Sequence, residues 1–334
     1  VTAAVAAPPK RSQGPAPVRA AGSVRRTSSL EVSWPEGRGG RIHVSARARD
    51  LLTPRAGTPR ILAEDAFEAR VALDGTLETI AFDPPRPALA WLAGKPSRGG
   101  FRRTLAEKAA EERQAGTPLY LILDDMPGAV MISPWAWSQF DVSWIERLRE
   151  RFSAEELIEH LKRRRGVCIG HANSSPSDLL SGRDEPTPAL AAPLARPEDP
   201  AGWHGLANPP GAGLRRARRI DVTLGETIQI DAEFQDSGAR PDGERTALHE
   251  YGLVATADPV SLRLLSLEAT ARVLPNPDCP AAVRNIQRLV GTPLPDLRQR
   301  VLDELAGTAG CTHLNDAIRA LAEVPALVGA LAAA

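Results

Sequence analysis

Four stretches of this chain occur twice in the same order, and any fold for it has to accommodate that repetition. "RRTSSLEVSWPEGRGGRIHVSARARD" (residues 25–50) can be laid over "RRARRIDVTLGETIQIDAEFQD" (residues 215–236), each a basic start followed by two alternating runs. Residues 65–74 then lie over 249–258, residues 92–102 over 289–298 with a one-residue gap, and residues 115–125 over 306–316. Each match is weak alone. Four in one order predict two pseudo-symmetric units.

Each unit reads as strands first and helices after. In the second, "RIDVTL", "TIQIDAEF", "LVATA" and "LRLLSLEATARVL" alternate apolar and polar residues in the manner of half-buried antiparallel strands. Past the Pro-rich "PNPDCP" the spacing turns helical, through Ala282, Ile286, Leu289 and Val290, then Leu297, Val301, Leu302 and Leu305, then Leu314, Ile318, Leu321 and Ala322. The expectation is an α+β fold, each unit an antiparallel sheet with helices packed on one face. Residues 1–22 read as a disordered Ala/Pro-rich lead-in, 23–135 as the N-terminal unit, 136–213 as a helical and Pro-rich connector, and 214–334 as the C-terminal unit. Within the connector, residues 142–164 have the pattern of an amphipathic helical pair, with Ser153 and Glu156 spaced as a capping box.

Charge and composition narrow the function. Lys+Arg and Asp+Glu both number 41 among 334 residues, so no global field favours nucleic acid or an anionic membrane. No run approaches the roughly 18 apolar residues of a membrane span. Three scattered cysteines, Cys168, Cys279 and Cys311, do not make a disulfide framework. With no continuous apolar segment of a secretory signal in the lead-in, the expectation is a cytoplasmic protein.

The residues with chemical capacity gather in "GCTHLNDAIRAL" (residues 310–321). Thr312 reads as an N-cap with Asn315 and Asp316 in the first turn, which puts Cys311 just outside the positive end of a helix, where a thiolate is favoured. His313 is the candidate acid/base and Cys311 the candidate nucleophile or polarising group. In "ALHEYGL", His249 and Tyr251 share one strand face and are the candidate orienting partners, while Glu250 points the other way. Thr312, Arg216, Glu250 and Cys279 are further candidate binding residues. The matched positions of the first unit hold Tyr120, Leu121 and Ile122 in place of Cys311, Thr312 and His313, and Asp65 in place of His249, so the fold does not require the pair. A tetrahedral zinc site built from Cys279, Cys311, His313 and His249 suits the donor types, but Cys-x-His is the sole close pair, and no metal is assigned. No Gly-rich phosphate cradle occurs, so no cofactor is expected. Cys168 and His171 lie in a Gly/Ser-rich loop that could cover a ligand, "RRARR" (residues 215–219) reads as a solvated strand start or an anion contact, and the tryptophans of "SPWAWSQFDVSW" (residues 133–144) as packing between units.

"RRIDV", the His249-Glu250-Tyr251 strand, Cys279 before a helix, "RLVG" and above all "GCTHLND" resemble the bacterial family known as domain of unknown function 2889. The resemblance spans about residues 215–327, and the first half looks like the extra copy of longer, tandem-repeat actinobacterial-type members. It implies the unit boundaries and the focus on cysteine and histidine, and no activity. The expectation drawn from the residues is a small-molecule catabolic enzyme, of lyase or hydrolase type, using acid/base chemistry on an aromatic or coenzyme-linked substrate. The alternative is a non-catalytic ligand-binding or assembly protein. A homo-oligomer is compatible with either.

Overall fold

Alternation in the sequence becomes one antiparallel sheet. The computed structural model describes residues 12–141, 143, 153, 155, 156, 159, 165–172 and 189–333. Strands β1 (Ser23–Ser33), β2 (Ile42–Thr53), β3 (Arg60–Val71) and β4 (Leu77–Asp83) form a meander in the first half. After the short β5 (Ala189–Leu190), strands β6 (Gly213–Leu224), β7 (Ile228–Ala239), β8 (Arg245–Ala257) and β9 (Leu264–Val273) form a second. The spatial order is β4-β3-β2-β1-β6-β7-β8, with β9 and β5 both paired to β8. The halves meet where β1 pairs antiparallel with β6, in register from Ser23 opposite Thr223 to Ser33 opposite Gly213.

Helices cover one face. In the first half they are α1 (Phe101–Lys108), α2 (Ala110–Ala115) and α3 (Pro118–Ile132). In the second they are α4 (Leu297–Glu304), α5 (Thr312–Arg319) and α6 (Val324–Ala332). The period-2 pattern decides which residues meet them: on β7, Ile228, Ile230 and Phe234 are at most 2% exposed, each worth roughly 1.5–3 kcal/mol of burial. Two apolar clusters result, one under each set of helices. Leu121 of α3 belongs to the second-half cluster and Leu214 of β6 to the first, so the cores interlock.

The other face carries residues 12–22 and 189–210. Ala16 is buried and its N–H donates to the Leu194 carbonyl at 3.2 Å, so residues 12–22 are placed against the fold where the sequence suggested a disordered lead-in. Trp203 packs with Ala16 and Ala217. Most of the expected helical pair at 142–164 lies outside the described residues, but the capping box is present: Ser153 N–H donates to Glu156 Oε2 at 2.8 Å and Glu156 N–H to Ser153 Oγ at 3.2 Å. Trp135 and Trp137 pack between the halves as expected, and Trp144 lies outside the described residues. Trp137 lies against Trp34 with ring centroids 5.5 Å apart, and a Cβ at Gly238 of β7 would come within 2.7 Å of the Trp135 ring.

Largely buried ion pairs run between the two halves beside the interlocked cores. Arg102 Nη1 lies 2.8 Å from Asp316, Arg218 Nη2 2.6 Å from Asp125, and Arg319 Nη2 2.9 Å from Asp124, each pair joining the halves. Arg26 pairs with Asp50 at 2.6 Å and with Glu323 at 3.1 Å. Buried charges are tolerated only when paired and hydrogen-bonded, so these ion pairs fix how the halves dock.

Candidate functional site

Three neighbouring strands lay a row of polar side chains under α5. Arg216 on β6 stands opposite Asp236 on β7, and Asp236 opposite His249 on β8. A β-bulge follows Asp236, between it and Ser237, and such bulges re-aim side chains. Arg216 Nε donates to Asp236 Oδ1 at 2.8 Å and its Nη2 to Oδ2 at 3.1 Å, while its Nη1 reaches Asp316 at 3.0 Å. Burial would raise the Asp236 carboxyl, but Arg216 above all outweighs it and holds the group well below the usual carboxylate range.

Above that row sits the start of α5. Cys311, in extended conformation, occupies the N-cap position and Thr312 is the first helical residue. The expected Thr312 cap is therefore one residue off, and no side chain caps this end. The preceding chain is crowded: a Cβ on Gly310 would meet Asn315 at 2.8 Å, and the Gly310 carbonyl accepts from Ile169 N–H at 2.9 Å. His313 then lies flat on His249, with ring centroids 3.3 Å apart and planes at 14°. Asp236 Oδ2 is 3.3 Å from His249 Nδ1 and 3.8 Å from His313 Nε2. Burial pushes the His249 imidazole down to about 4, His313 adding to the fall and Asp236 opposing it. Neutral imidazole is thus its resting form.

All three cysteines come to this end of the fold. Tyr251 Oη donates to Cys311 Sγ at 3.3 Å. The Cys279 thiol also bonds the Cys311 sulfur; this draws Cys311 well below the ordinary thiol range against the cost of burial, with His313 and Tyr251 adding, and raises Cys279 in turn. Cys168 lies close enough to Cys311 to be raised by it, after burial. The segment at 165–172 packs against the thiols, with a Cβ at Gly170 coming within 2.7 Å of Cys279 Sγ.

The expected residues divide as follows. Cys311, His313, His249, Tyr251 and Cys279 come together, and Arg216 stands behind Asp236. Glu250 does not join them: it is on the opposite face, bonded to Ser12 at 2.7 Å and Gln235 at 3.2 Å, because successive strand residues alternate. Asp236 was missed. It ends a matched segment, as Asp50 does, and an Asp closing the same strand twice opposite an Arg was the available signal. The strand registers also correct the comparison of halves. Asp50 stands opposite Ala63 where Asp236 stands opposite His249, so Ala63 holds the place of His249, and Asp65 that of Tyr251. Likewise α3 begins at Pro118 behind a Thr117 cap, whereas the matched residues of the second half form a short 3-10 turn, Gly307–Ala309, ahead of Cys311. Two hollows lie elsewhere, one lined by Ser29, Ser45, Arg47 and Glu68 and the other by Gln13, Trp203 and Glu250, and neither includes Cys311 or His313.

No described helix is long and apolar enough to cross a membrane. Comparison with known families finds one match, over residues 214–327, to a family described as Protein of unknown function (DUF2889). No curated protein and no solved structure matches the chain.

Proposed function

With residues 214–327 belonging to the DUF2889 family, whose description carries no activity, we propose from the geometry that the chain is a small-molecule enzyme of hydrolase or lyase type. Its reaction centre is the cluster of Cys311, His313, His249 and Asp236. The observation that carries this reading is convergence: a thiol, two stacked imidazoles and a carboxylate from β7, β8 and the start of α5 meet in one buried place. Such groups bind, polarise and cleave. Aromatic and coenzyme-linked acids remain the substrate class to try first.

We also infer that the two halves are copies of one unit. Their elements run in the same order, and Arg26 faces Asp50 as Arg216 faces Asp236, with a β-bulge after each Asp. This supports a functional role for the cluster, since the first copy keeps the Arg/Asp pair and has Ala63 for the imidazole of His249. The competing reading, a non-catalytic ligand-binding or assembly protein, draws on the burial of Cys311, 1% exposed, and on the position of the hollows.

A thermal-shift screen with acyl-coenzyme A thioesters, aromatic acids and steroids finds a ligand under either reading, because a ligand of the native state stabilises it with the logarithm of its concentration, and conversion of that ligand separates the two. Conversion of a hit, followed by mass spectrometry, should vanish in Cys311→Ser and His313→Gln. Conversion that persists in both folded variants would remove the reaction centre from this cluster.

A further inference from the structure

We infer that Asp236 Oδ2, His249 Nδ1 and His313 Nε2 form a binding site for one divalent first-row transition-metal ion, of the zinc or iron(II) class. This rests on reading the cluster as the working site, and it makes the two imidazoles ligands where the sequence suggested a proton carrier.

Geometry is the first argument. The three donor atoms lie within 4.8 Å of one another, and among the described residues they are the set of three or more His, Cys, Asp or Glu groups that does so. Ligand bonds of about 2.0–2.2 Å need donors roughly 3–4 Å apart, and Asp236 Oδ2 has that spacing from both nitrogens; the stacked rings would have to rotate apart for both in-plane lone pairs to meet one ion. The second argument is independent of it. His313 Nε2 is buried with no hydrogen-bond partner, 3.8 Å from Asp236 Oδ2, and His249 Nδ1 is buried with only a loosely aligned contact to the same oxygen at 3.3 Å. His249 is only 5% exposed. A buried ring nitrogen left unpaired is costly, and a cation shared by the two nitrogens and the oxygen would satisfy all three.

The surroundings fit the role. Thr312 Oγ1 lies 3.3 Å from His313 Nδ1, which leaves Nε2 for the ion, and Arg216 Nε at 2.8 Å from Oδ1 orients the carboxylate. Arg216 does not displace a cation, because a carboxylate offers about four acceptor positions and this guanidinium is shared with Asp316. Arg102, Arg216 and Arg218 are matched by Asp125, Asp236 and Asp316, so the ion enters a place with no excess positive charge. Two imidazoles and one carboxylate leave coordination positions open, the arrangement of catalytic zinc and non-haem iron centres. Cys311 is in contact with His313.

Protein stripped with a chelator should bind one Zn2+ per chain by titration calorimetry and develop visible absorption with Co2+. His249→Gln and His313→Gln, folded by circular dichroism, should each weaken binding by about 100-fold or more, and Thr312→Val, which alters only an outer contact, by about 10-fold. Cys168→Ser should bind as the wild type does. The inference is overturned if Zn2+, Co2+ and Fe2+ all fail to saturate the stripped protein. It is equally overturned if both histidine variants bind unchanged, or if Cys168→Ser alone abolishes binding and so moves the ion to the thiols. Because no substrate enters these measurements, their failure leaves the enzyme reading to the conversion assay, and a failed conversion assay leaves the metal-binding result standing.

Discussion

Cys311 and Leu314 are three residues apart, both buried, and answer to different demands. Leu314 fills space in the second-half core, so Leu314→Ala should cost about 2–5 kcal/mol by leaving a cavity. Cys311→Ser puts a hydroxyl into the buried place shared with Tyr251 and Cys279 and should cost about 1–3 kcal/mol, and His313→Gln, at a partly exposed position, about 1 kcal/mol. Urea denaturation of the three variants checks this, and equal losses would make the Cys/His pair part of the core. Asp124 gives a pH-dependent counterpart. Burial would raise its carboxyl, but Arg319, Arg298 and Arg102 together bring it down from 3.8 to about 2. A depressed folded-state value means that its contribution is whole above the ordinary value and is lost as pH falls from about 4 to about 2; the lost part is roughly 2 kcal/mol. Asp124→Asn should therefore flatten that acid limb in a stability-versus-pH series, while lowering stability at neutral pH by about 3–5 kcal/mol for the broken buried pair.

At the scale of elements, α3 contains a glycine that its helix propensity argues against. A Cβ at Gly128 would run into the Arg216 guanidinium and come within 2.9 Å of Asp316 Oδ2. Replacing a mid-helix glycine by alanine ordinarily gains about 1 kcal/mol. Gly128→Ala should instead destabilise, because it separates Arg216 from Asp316, and chemical denaturation should give the sign directly. This close approach also shows which elements were legible in the sequence. The strands were, since Ile228, Ile230 and Phe234 alternate with polar residues along β7, and so were the shared face of His249 and Tyr251 and the opposite aim of Glu250. What failed was register. Sequence matching laid Asp65 over His249, two residues past Ala63, although Ala63 follows Asp50 at the same distance as His249 follows Asp236 and both pairings carry a bulge after the Asp; the match followed residue type along the strand and not the count from the paired Asp. Asp236 escaped for a related reason: His249 and His313 are 64 positions apart and Asp236 lies on a third element, so no local spacing announces the group. The start of α5 was misplaced by one residue because Thr312 has the preferred side chain for a cap and the extended backbone belongs to Cys311.

For the whole molecule, the pairing of β1 with β6 and the ion pairs from Arg102, Arg218 and Arg319 make the halves one mechanical body. The six tryptophans all precede residue 214, so their fluorescence reports the first half and the connector, whereas far-ultraviolet circular dichroism reports both halves. The two denaturation curves should coincide. Separate midpoints would mean that these ion pairs do not couple the units. The seam has a further consequence during synthesis. Every residue of β1 is buried once folding is complete, yet its sequence, "SVRRTSSLEVS", is mostly polar. Until residues 213–224 have left the ribosome, β1 is the open edge of a finished meander, and Arg25, Arg26 and Glu31 present charge to any wrong strand that approaches it. The partner that the nascent edge accepts is the one whose own arginines arrive with carboxylates to receive them.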